Sequence, residues 1–198
     1  MSALKANSEV PVPAMNAYCD DIEVNQAPFY VMQFVDGLII RDQSSVTQLT
    51  AEQCLTATHS LIDVQVAFHT VDIDRIGLGD LAKTRDNYIE RQLSRWHKQV
   101  TAAQTRELPI ISELHSRLKA KIPKQQAAAG LAHGDYRFDN TVLDANHHIQ
   151  AVLDWELCTL GDPIADFVWS LLYWAEPDDQ LTWLLDPPTK ADKFIRRD

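Results

Sequence analysis

The spacing of hydrophobic and polar residues along the first half of the chain predicts one strand followed by three helices. Residues 27–37 are rich in aromatic and β-branched side chains and end at Gly37, which predicts a strand that closes in a turn. Three segments follow in which apolar residues recur at helical spacing, and they begin at Thr50, after Asp80 and near Glu107. Because Thr50 stands three residues before Gln53, the first of these helices is expected to begin with a capping box.

Each of the three helices is expected to bury one apolar stripe. Trp96 and Trp174 lie on helical stripes and are interpreted as core residues. The stripes are Leu55, Ile62, Val66 and His69 in the first helix, Ile89, Leu93, Trp96 and Val100 in the second, and Ile111, Leu114, His115, Leu118 and Ile122 in the third.

The second half of the chain predicts a loop, a hairpin and a buried helix. Residues 131–140 are interpreted as a loop entered by a short strand, and residues 141–143 and 148–153 as two strands around a polar turn. Asp162 is a good N-cap and Pro163 suits the first helical position, so a helix starts there. This helix is apolar nearly all round and is expected to be buried. The element order is not a βαβ series, which excludes a doubly wound sheet.

Composition and charge argue against several classes of function but do not identify the function. Lys and Arg total 18 and Asp and Glu total 28, for a net charge of −10, which argues against a nucleic-acid partner. The three cysteines are far apart, so zinc and dithiol sites are not indicated. No apolar run reaches the length of a membrane span and no secretory h-region opens the chain. We therefore expect a cytoplasmic protein with no membrane partner.

The residues that carry chemistry lie in two short motifs. His133-Gly-Asp135 is followed by Asn140 five residues after the Asp, and Asp154-Trp-Glu156 comes next, after the predicted hairpin. Phosphoryl transfer needs a carboxylate that orients the attacking hydroxyl and accepts its proton, and oxygen ligands that hold Mg²⁺ against the phosphates. A loop that presents Asp135 and Asn140, with a hairpin that returns Asp154, supplies these groups. Protein kinases have an Asp and an Asn at the same spacing, followed by a later metal-binding Asp.

With these motifs, and with Gly161-Asp-Pro-Ile-Ala-Asp166, the sequence resembles the aminoglycoside phosphotransferase and choline-kinase-like family. Residues 10–13 and 69–72 are most similar to the phosphotransferase domains associated with acyl-CoA dehydrogenases. The resemblance covers residues 10–174, and it implies an α+β, protein-kinase-like fold. Most of the chain would be the helical C-terminal lobe, with a hinge strand and a short catalytic hairpin.

The resemblance also implies cofactors and residue roles. ATP and Mg²⁺ are the expected cofactors, with Asp135 as the catalytic base and His133 as the residue that braces its loop. Asn140 and Asp154 are the expected Mg²⁺ ligands, and Asp166 is expected to hold the loop backbone from the following helix. The family's hinge strand binds adenine through its backbone, and here it corresponds to Met32, Gln33, Phe34 and Val35.

Several neighbouring residues have two open interpretations. Asp166 could instead complement the helix dipole, and Asp162 is interpreted as a structural N-cap. Glu156 is either a further metal ligand or a solvated acid. Arg137 and Asp139 contact either a substrate or each other. His147 and His148 are interpreted as solvated residues of a turn and not as a metal site, because no further metal ligand stands nearby in the sequence.

The expected domain division is a polar, loose leader over residues 1–9, an extended segment and hinge strand over 10–37, and a helical lobe over 38–198. The lobe contains the catalytic loop, 131–140, and the metal segment, 152–166. Kinase-like enzymes also need a glycine-rich loop and a phosphate-binding Lys. The only Lys before residue 27 is Lys5, and the first Gly is Gly37. The chain is therefore expected to be truncated at both ends, with an exposed hinge strand through which it could self-associate.

Two functions are compatible with these features. One is an ATP- and Mg²⁺-dependent phosphotransferase acting on a hydroxyl of a small molecule, for which the acyl-CoA dehydrogenase association favours a hydroxyacyl acceptor. The other is a non-catalytic, pseudokinase-like binding domain.

Overall fold

The computed structural model of the chain describes residues 1–125, 128–176, 178–179 and 186–197. It has an α+β architecture in which three antiparallel strand pairs and the extended N-terminal segment accompany a set of helices. The predicted helical lobe over 38–198 therefore includes positions outside the described residues. The helices are α1 Ser2–Asn7, α2 Ile22–Asn25, α3 Ala51–His69, α4 Tyr88–Ala103, α5 Pro109–Lys119 and α6 Pro163–Leu171. The strands are β1 Met15–Cys19, β2 Phe29–Met32, β3 Gly130–Ala132, β4 Thr141–Leu143, β5 Ile149–Val152 and β6 Thr159–Gly161.

Residues 2–7 form a short helix, where the sequence predicts a polar, loose leader over residues 1–9. Helix α1 places Leu4 in the hydrophobic core, where only 1% of its surface is exposed. The extended segment that follows buries Val10 and Val12, and Val152 of β5 donates its backbone N–H to the Pro11 carbonyl at 2.8 Å. The burial of Leu4 in the core stabilises this short helix. The sequence does not predict it because most of residues 1–9 are polar.

The hinge strand is shorter than the sequence predicts, and it has a partner. Strand β2 pairs antiparallel with β1, with Cys19 opposite Phe29, so the expected unpaired edge is occupied on that side. Beyond β2, Gln33 still donates its backbone N–H to the Ala14 carbonyl at 2.8 Å. Residues 33–37 are not a strand, although Leu38 then forms an isolated bridge with Leu143 of β4.

Helix α3 begins where expected but buries a different face. The Thr50 hydroxyl accepts from the Gln53 N–H and the Gln53 side chain accepts from the Thr50 N–H, which completes the predicted capping box. The predicted stripe is wrong: Val66 is 54% exposed, and Leu55 and Ile62 are also exposed. The face toward the core carries Cys54, Ala57, Thr58, Ser60, Leu61, Gln65 and Phe68.

Polar residues can occupy this buried face because each finds a hydrogen-bond partner. The Thr58 hydroxyl donates to the Cys54 carbonyl at 2.8 Å. The Ser60 hydroxyl accepts from the backbone N–H of Ile149, also at 2.8 Å. Satisfied polar groups carry little of the cost of burial, so a hydrophobicity pattern alone identifies the wrong face of this helix.

Helices α4 and α5 contact each other, and neither has a buried residue. Helix α4 starts at Tyr88, later than predicted, because the residues after Asp80 form turns and Asn87 adopts the left-handed conformation with φ of 53°. Trp96 is 55% exposed, so its assignment to the core is wrong. Trp174, in contrast, is half-buried and packs against the core.

The C-terminal half forms two hairpin-like strand pairs, β3 with β6 and β4 with β5, as the sequence predicts for residues 141–143 and 148–153. Asp162 caps α6 by accepting from the Ile164 N–H at 2.9 Å. The expectation that α6 is fully buried is wrong. Its only buried residue is Asp166, and four of its apolar side chains are exposed: Ile164, Phe167, Val168 and Trp169. No helix among the described residues is both long and apolar enough to cross a membrane.

Candidate active site

The loop between β3 and β4 carries the H-G-D motif and requires a glycine at its centre. Gly134 has a φ of 88°, in the left-handed region that favours glycine. A Cβ added there would lie 3.0 Å from both the Cβ and the carbonyl oxygen of Leu157. The middle residue of the motif is therefore set by the backbone turn and by the close approach of the segment after Asp154.

A buried carboxylate from helix α6 holds this turn. Asp166 accepts from the backbone N–H of His133 at 3.2 Å and of Gly134 at 2.8 Å. It also accepts from Nε2 of His69, at the end of α3, at 2.8 Å. Only 2% of the Asp166 surface is exposed. Of its two sequence interpretations, the geometry supports the one in which it binds the loop backbone.

His133 links the loop to the segment that carries Asp154. Its Nε2 donates to the Leu153 carbonyl at 2.8 Å, and its Nδ1 accepts from the backbone N–H of Asp135 at 3.3 Å. These two bonds require the neutral tautomer with hydrogen on Nε2. Burial lowers the pKa of His133, which agrees with a neutral ring. The ring contacts Phe68, Tyr136 and Trp155, which fix its orientation.

Asp135 and Asn140 are in direct contact. The Asn140 side-chain nitrogen donates to the Asp135 carbonyl at 2.8 Å and to its carboxylate Oδ2 at 3.1 Å. Because its nitrogen is engaged in this way, the amide oxygen of Asn140 is the atom that remains for a cation. Asp135 Oδ1 is buried and finds no hydrogen-bond partner among the described residues. A buried carboxylate oxygen without a partner is suited to receive a proton donor or cation.

Asp154 reaches the same part of the molecule through the backbone. Leu153 donates its N–H to the Asn140 carbonyl at 2.8 Å, so the residue before Asp154 is paired with the end of the catalytic loop. Asp154 is exposed and has a φ of 59°, a conformation that is uncommon outside glycine. Such backbone strain occurs often at functional sites. The metal-ligand roles of Asn140 and Asp154 remain predictions.

The four predicted adenine-contacting residues lie at the end of the N-terminal hairpin and just beyond it. Met32 is the last residue of β2, and Gln33 continues the pairing with Ala14. Phe34 is 87% exposed, and Val35 is half-buried. The adenine-binding role of these four residues remains a prediction.

The structure also shows the surroundings of the other charged candidates, Arg137, Asp139 and Glu156. Arg137 pairs with Asp139 at 3.1 Å, so these two residues contact each other. Burial raises the pKa of Asp139. Glu156 is exposed in the turn after Asp154. Within the described ranges no cluster of three or more His, Cys, Asp or Glu residues could hold a metal ion, and this includes the histidines at 147 and 148.

Two residues at the site were not assigned a site role from the sequence. His69 was assigned to an apolar stripe, and its contact with Asp166 joins positions 97 apart in the chain. Tyr173, just after α6, lies near Asp135, since both contact the Arg137 guanidinium. Burial, followed by the Asp135 charge, raises the pKa of Tyr173. No local pattern reports either contact, because both depend on how α3 and α6 pack around the loop.

Solved structures share the fold of this chain. A Ralstonia eutropha protein classed with the aminoglycoside phosphotransferases is 37% identical, with a TM-score of 0.78 over 91% of this chain and 54% of that one. An aminoglycoside phosphotransferase solved with ADP and hygromycin B is 16% identical, with a TM-score of 0.62 over 83% of this chain and 56% of that one. The chain thus has the protein-kinase-like fold of the aminoglycoside phosphotransferases.

The family model described as the phosphotransferase enzyme family matches residues 1–185. The chain belongs to this family. It is 38% identical over 180 residues to acyl-CoA dehydrogenase family member 10 of Mus musculus, covering 89% of this chain and 16% of that protein. It is 35% identical over 168 residues to acyl-CoA dehydrogenase family member 11 of Gallus gallus, covering 84% of this chain and 21% of that protein. The chain therefore spans 16% and 21% of the length of these two curated relatives.

The contacts of Asp166 predict that Asp166→Asn destabilises the fold more than a matched change one helical turn away. The amide would lose the charge that three donors share, and hydrogen bonds to charged groups contribute about 1.5–3 kcal/mol each. We expect the free energy of unfolding, measured in urea, to fall by about 1.5–3 kcal/mol. Asp162→Asn is the control, since Asn caps a helix about as well as Asp and should cost under about 0.5 kcal/mol. Equal losses in the two variants would contradict the role given to Asp166.

Proposed function

We propose that this chain carries the catalytic lobe of a phosphotransferase that moves the γ-phosphate of ATP to a hydroxyl group of a small molecule. The observation that carries the proposal is the Asp135 carboxylate, whose backbone is fixed by His133 and Asp166 while its Oδ1 has no partner among the described residues. A base held in this way can orient an incoming hydroxyl and accept its proton.

Nucleotide binding is proposed on two grounds. Relatives of the same fold were solved with ADP or with ATP. In this chain, residues 32–35 form an accessible segment at the end of a hairpin, where the backbone can receive adenine. Asn140 and Asp154 would hold Mg²⁺ through an amide and a carboxylate oxygen, the ligand types that the ion prefers. When bound, Mg²⁺ neutralises charge on the phosphates.

The acceptor is proposed to be a hydroxyacyl compound. A cavity of about 300 Å³ lies beside the catalytic loop, between α3 and α6, and its polar lining includes Arg137, Asp139 and Tyr173. Its walls are mainly apolar, including Leu61, Phe167, Leu171 and Trp174. An apolar cavity next to a base suits a molecule with a hydroxyl group and a hydrocarbon chain. The acyl-CoA dehydrogenase names of the relatives agree with such an acceptor.

The alternative is a pseudokinase-like domain that binds without catalysis. The two functions make different predictions for Asp135 and Asp154. Asp135→Asn removes the base but no proposed metal ligand, so phosphate transfer should fall by about 10²–10⁴ while the ATP–Mg²⁺ affinity changes little. Asp154→Asn should weaken ATP binding in the presence of Mg²⁺ and leave it nearly unchanged in EDTA.

Isothermal titration of ATP–Mg²⁺ into the chain, with a phosphate-transfer assay beside it, measures both quantities. Asp63→Asn, an exposed residue of α3, is the control and should match the unmodified chain. Binding without transfer in every protein supports the pseudokinase-like alternative. Transfer that survives Asp135→Asn near the unmodified rate shows that Asp135 is not the base.

The acceptor proposal predicts that Leu171→Gln impairs the acceptor and spares the nucleotide. The amide would enter an apolar wall, and burying an unpaired polar group costs about 1–3 kcal/mol. We expect kcat/KM for β-hydroxyoctanoyl thioester to fall about tenfold to a hundredfold, by that same cost. KM for ATP should not change. A preference for an aminoglycoside such as kanamycin over the thioester would contradict the proposal.

A further inference from the structure

The proposed base does not line the apolar cavity, although its neighbours Arg137 and Tyr173 do. Asp135 Oδ2 is held by Asn140 at 3.1 Å, and Oδ1 is buried. Tyr173 lies beside the same carboxylate, because the Arg137 guanidinium contacts both residues. Tyr173 also lines the cavity beside the loop, whereas Asp135 does not. An acceptor that enters through this cavity therefore meets Tyr173 before it meets the base.

Arg137 contacts both Tyr173 and the proposed base. Its guanidinium lies 4.5 Å from the centre of the Tyr173 ring, close enough for a cation–π contact. The same guanidinium pairs with Asp139 at 3.1 Å, and its Nε lies 3.6 Å from Asp135 Oδ2. Asp135, Arg137, Asp139 and Tyr173 thus form one cluster, which we call the acceptor-side cluster.

The hydrogen bonding of this cluster is incomplete. Three of its atoms are buried and have no hydrogen-bond partner within the described part of the chain: Asp135 Oδ1, Arg137 Nε and Asp139 Oδ1. Buried polar atoms without partners cost free energy and call for an explanation, such as a ligand that completes them. An entering hydroxyl compound can supply a donor for a carboxylate oxygen and an acceptor for Nε.

We propose that Tyr173 is a specificity-determining residue that caps Asp135, so that the base acts on an acceptor able to displace the cap and not on water. This inference rests on the proposed function, because it concerns the same base. The Tyr173 hydroxyl occupies the position of the acceptor hydroxyl until an acceptor with an apolar body fills the cavity and replaces it. The cap prevents wasteful hydrolysis of ATP while no acceptor is bound.

The reaction that the cap suppresses follows from the same chemistry. With Tyr173 removed, a water molecule can donate its proton to Asp135 while its oxygen bonds to the γ-phosphorus of ATP. The bond from that phosphorus to the bridging oxygen breaks, and ADP leaves. The products are ADP and inorganic phosphate, with the proton carried away from Asp135 to solvent.

The first measurement is ATP hydrolysis without acceptor in Tyr173→Ala, Tyr173→Phe and the unmodified chain. Tyr173→Ala should raise hydrolysis about tenfold, below the ~10²–10⁴ that a fully positioned base contributes. Tyr173→Phe keeps the ring under Arg137, so its increase should be smaller. Tyr18→Ala, at an exposed tyrosine of β1, is the matched control and should not change the rate. Unchanged or reduced hydrolysis in Tyr173→Ala, with ATP turnover detectable, would overturn the inference.

The second measurement needs no nucleotide and therefore separates this inference from the proposed function. Carboxyl groups of the chain are labelled with a water-soluble carbodiimide and glycine ethyl ester, and the labelling rate of Asp135 is read by mass spectrometry. Tyr173→Ala should raise that rate severalfold and Tyr18→Ala should not, while the rate at exposed Asp63 serves as the internal reference. If neither the unmodified chain nor any variant turns over ATP, the proposed function fails. The labelling rate then still tests whether Tyr173 covers Asp135. Equal labelling of Asp135 in all variants would refute it.

Discussion

The candidate site depends on one buried carboxylate. Asp166 joins the first turn of α6, the backbone of the H-G-D loop and the last residue of α3 through hydrogen bonds of 2.8–3.2 Å. A buried charge is stable only when several donors share it, and here the donors come from the end of α3 and from the loop. The packing of α3 and α6 and the conformation of the loop are therefore determined together.

Hydrogen bonds connect the loop that Asp166 holds to the proposed functional residues Asp135, Asn140 and Asp154. The loop backbone fixes His133, whose neutral ring donates to Leu153 and accepts from Asp135. Leu153 in turn pairs with Asn140 through the backbone. Each proposed functional side chain thus lies one residue or one hydrogen bond away from the rigid turn. Such support holds a site more firmly than side-chain contacts at the surface can.

The sequence predicts helix caps and a hairpin better than it predicts which helix faces are buried. The capping box at Thr50, the hairpin after Asn140 and the N-cap at Asp162 rest on local chemistry, and all three are observed. The buried face of α3 is missed because Thr58 and Ser60 satisfy their hydroxyls internally, while Val66 stays exposed. Local patterns report hydrogen bonds between near neighbours, but not which side of a helix meets a distant loop.

The central claim is that Asn140 and Asp154 converge on one metal–nucleotide site beside Asp135. Paramagnetic broadening by Mn²⁺ in the presence of ATP tests it most directly, read from the NMR signals of the chain. We expect the strongest broadening at the Asn140 side-chain amide and at the backbone amides around Asp154, with its loss in Asp154→Asn. Broadening centred on exposed carboxylates such as Asp63, with the Asn140 signal unaffected, would contradict the claim.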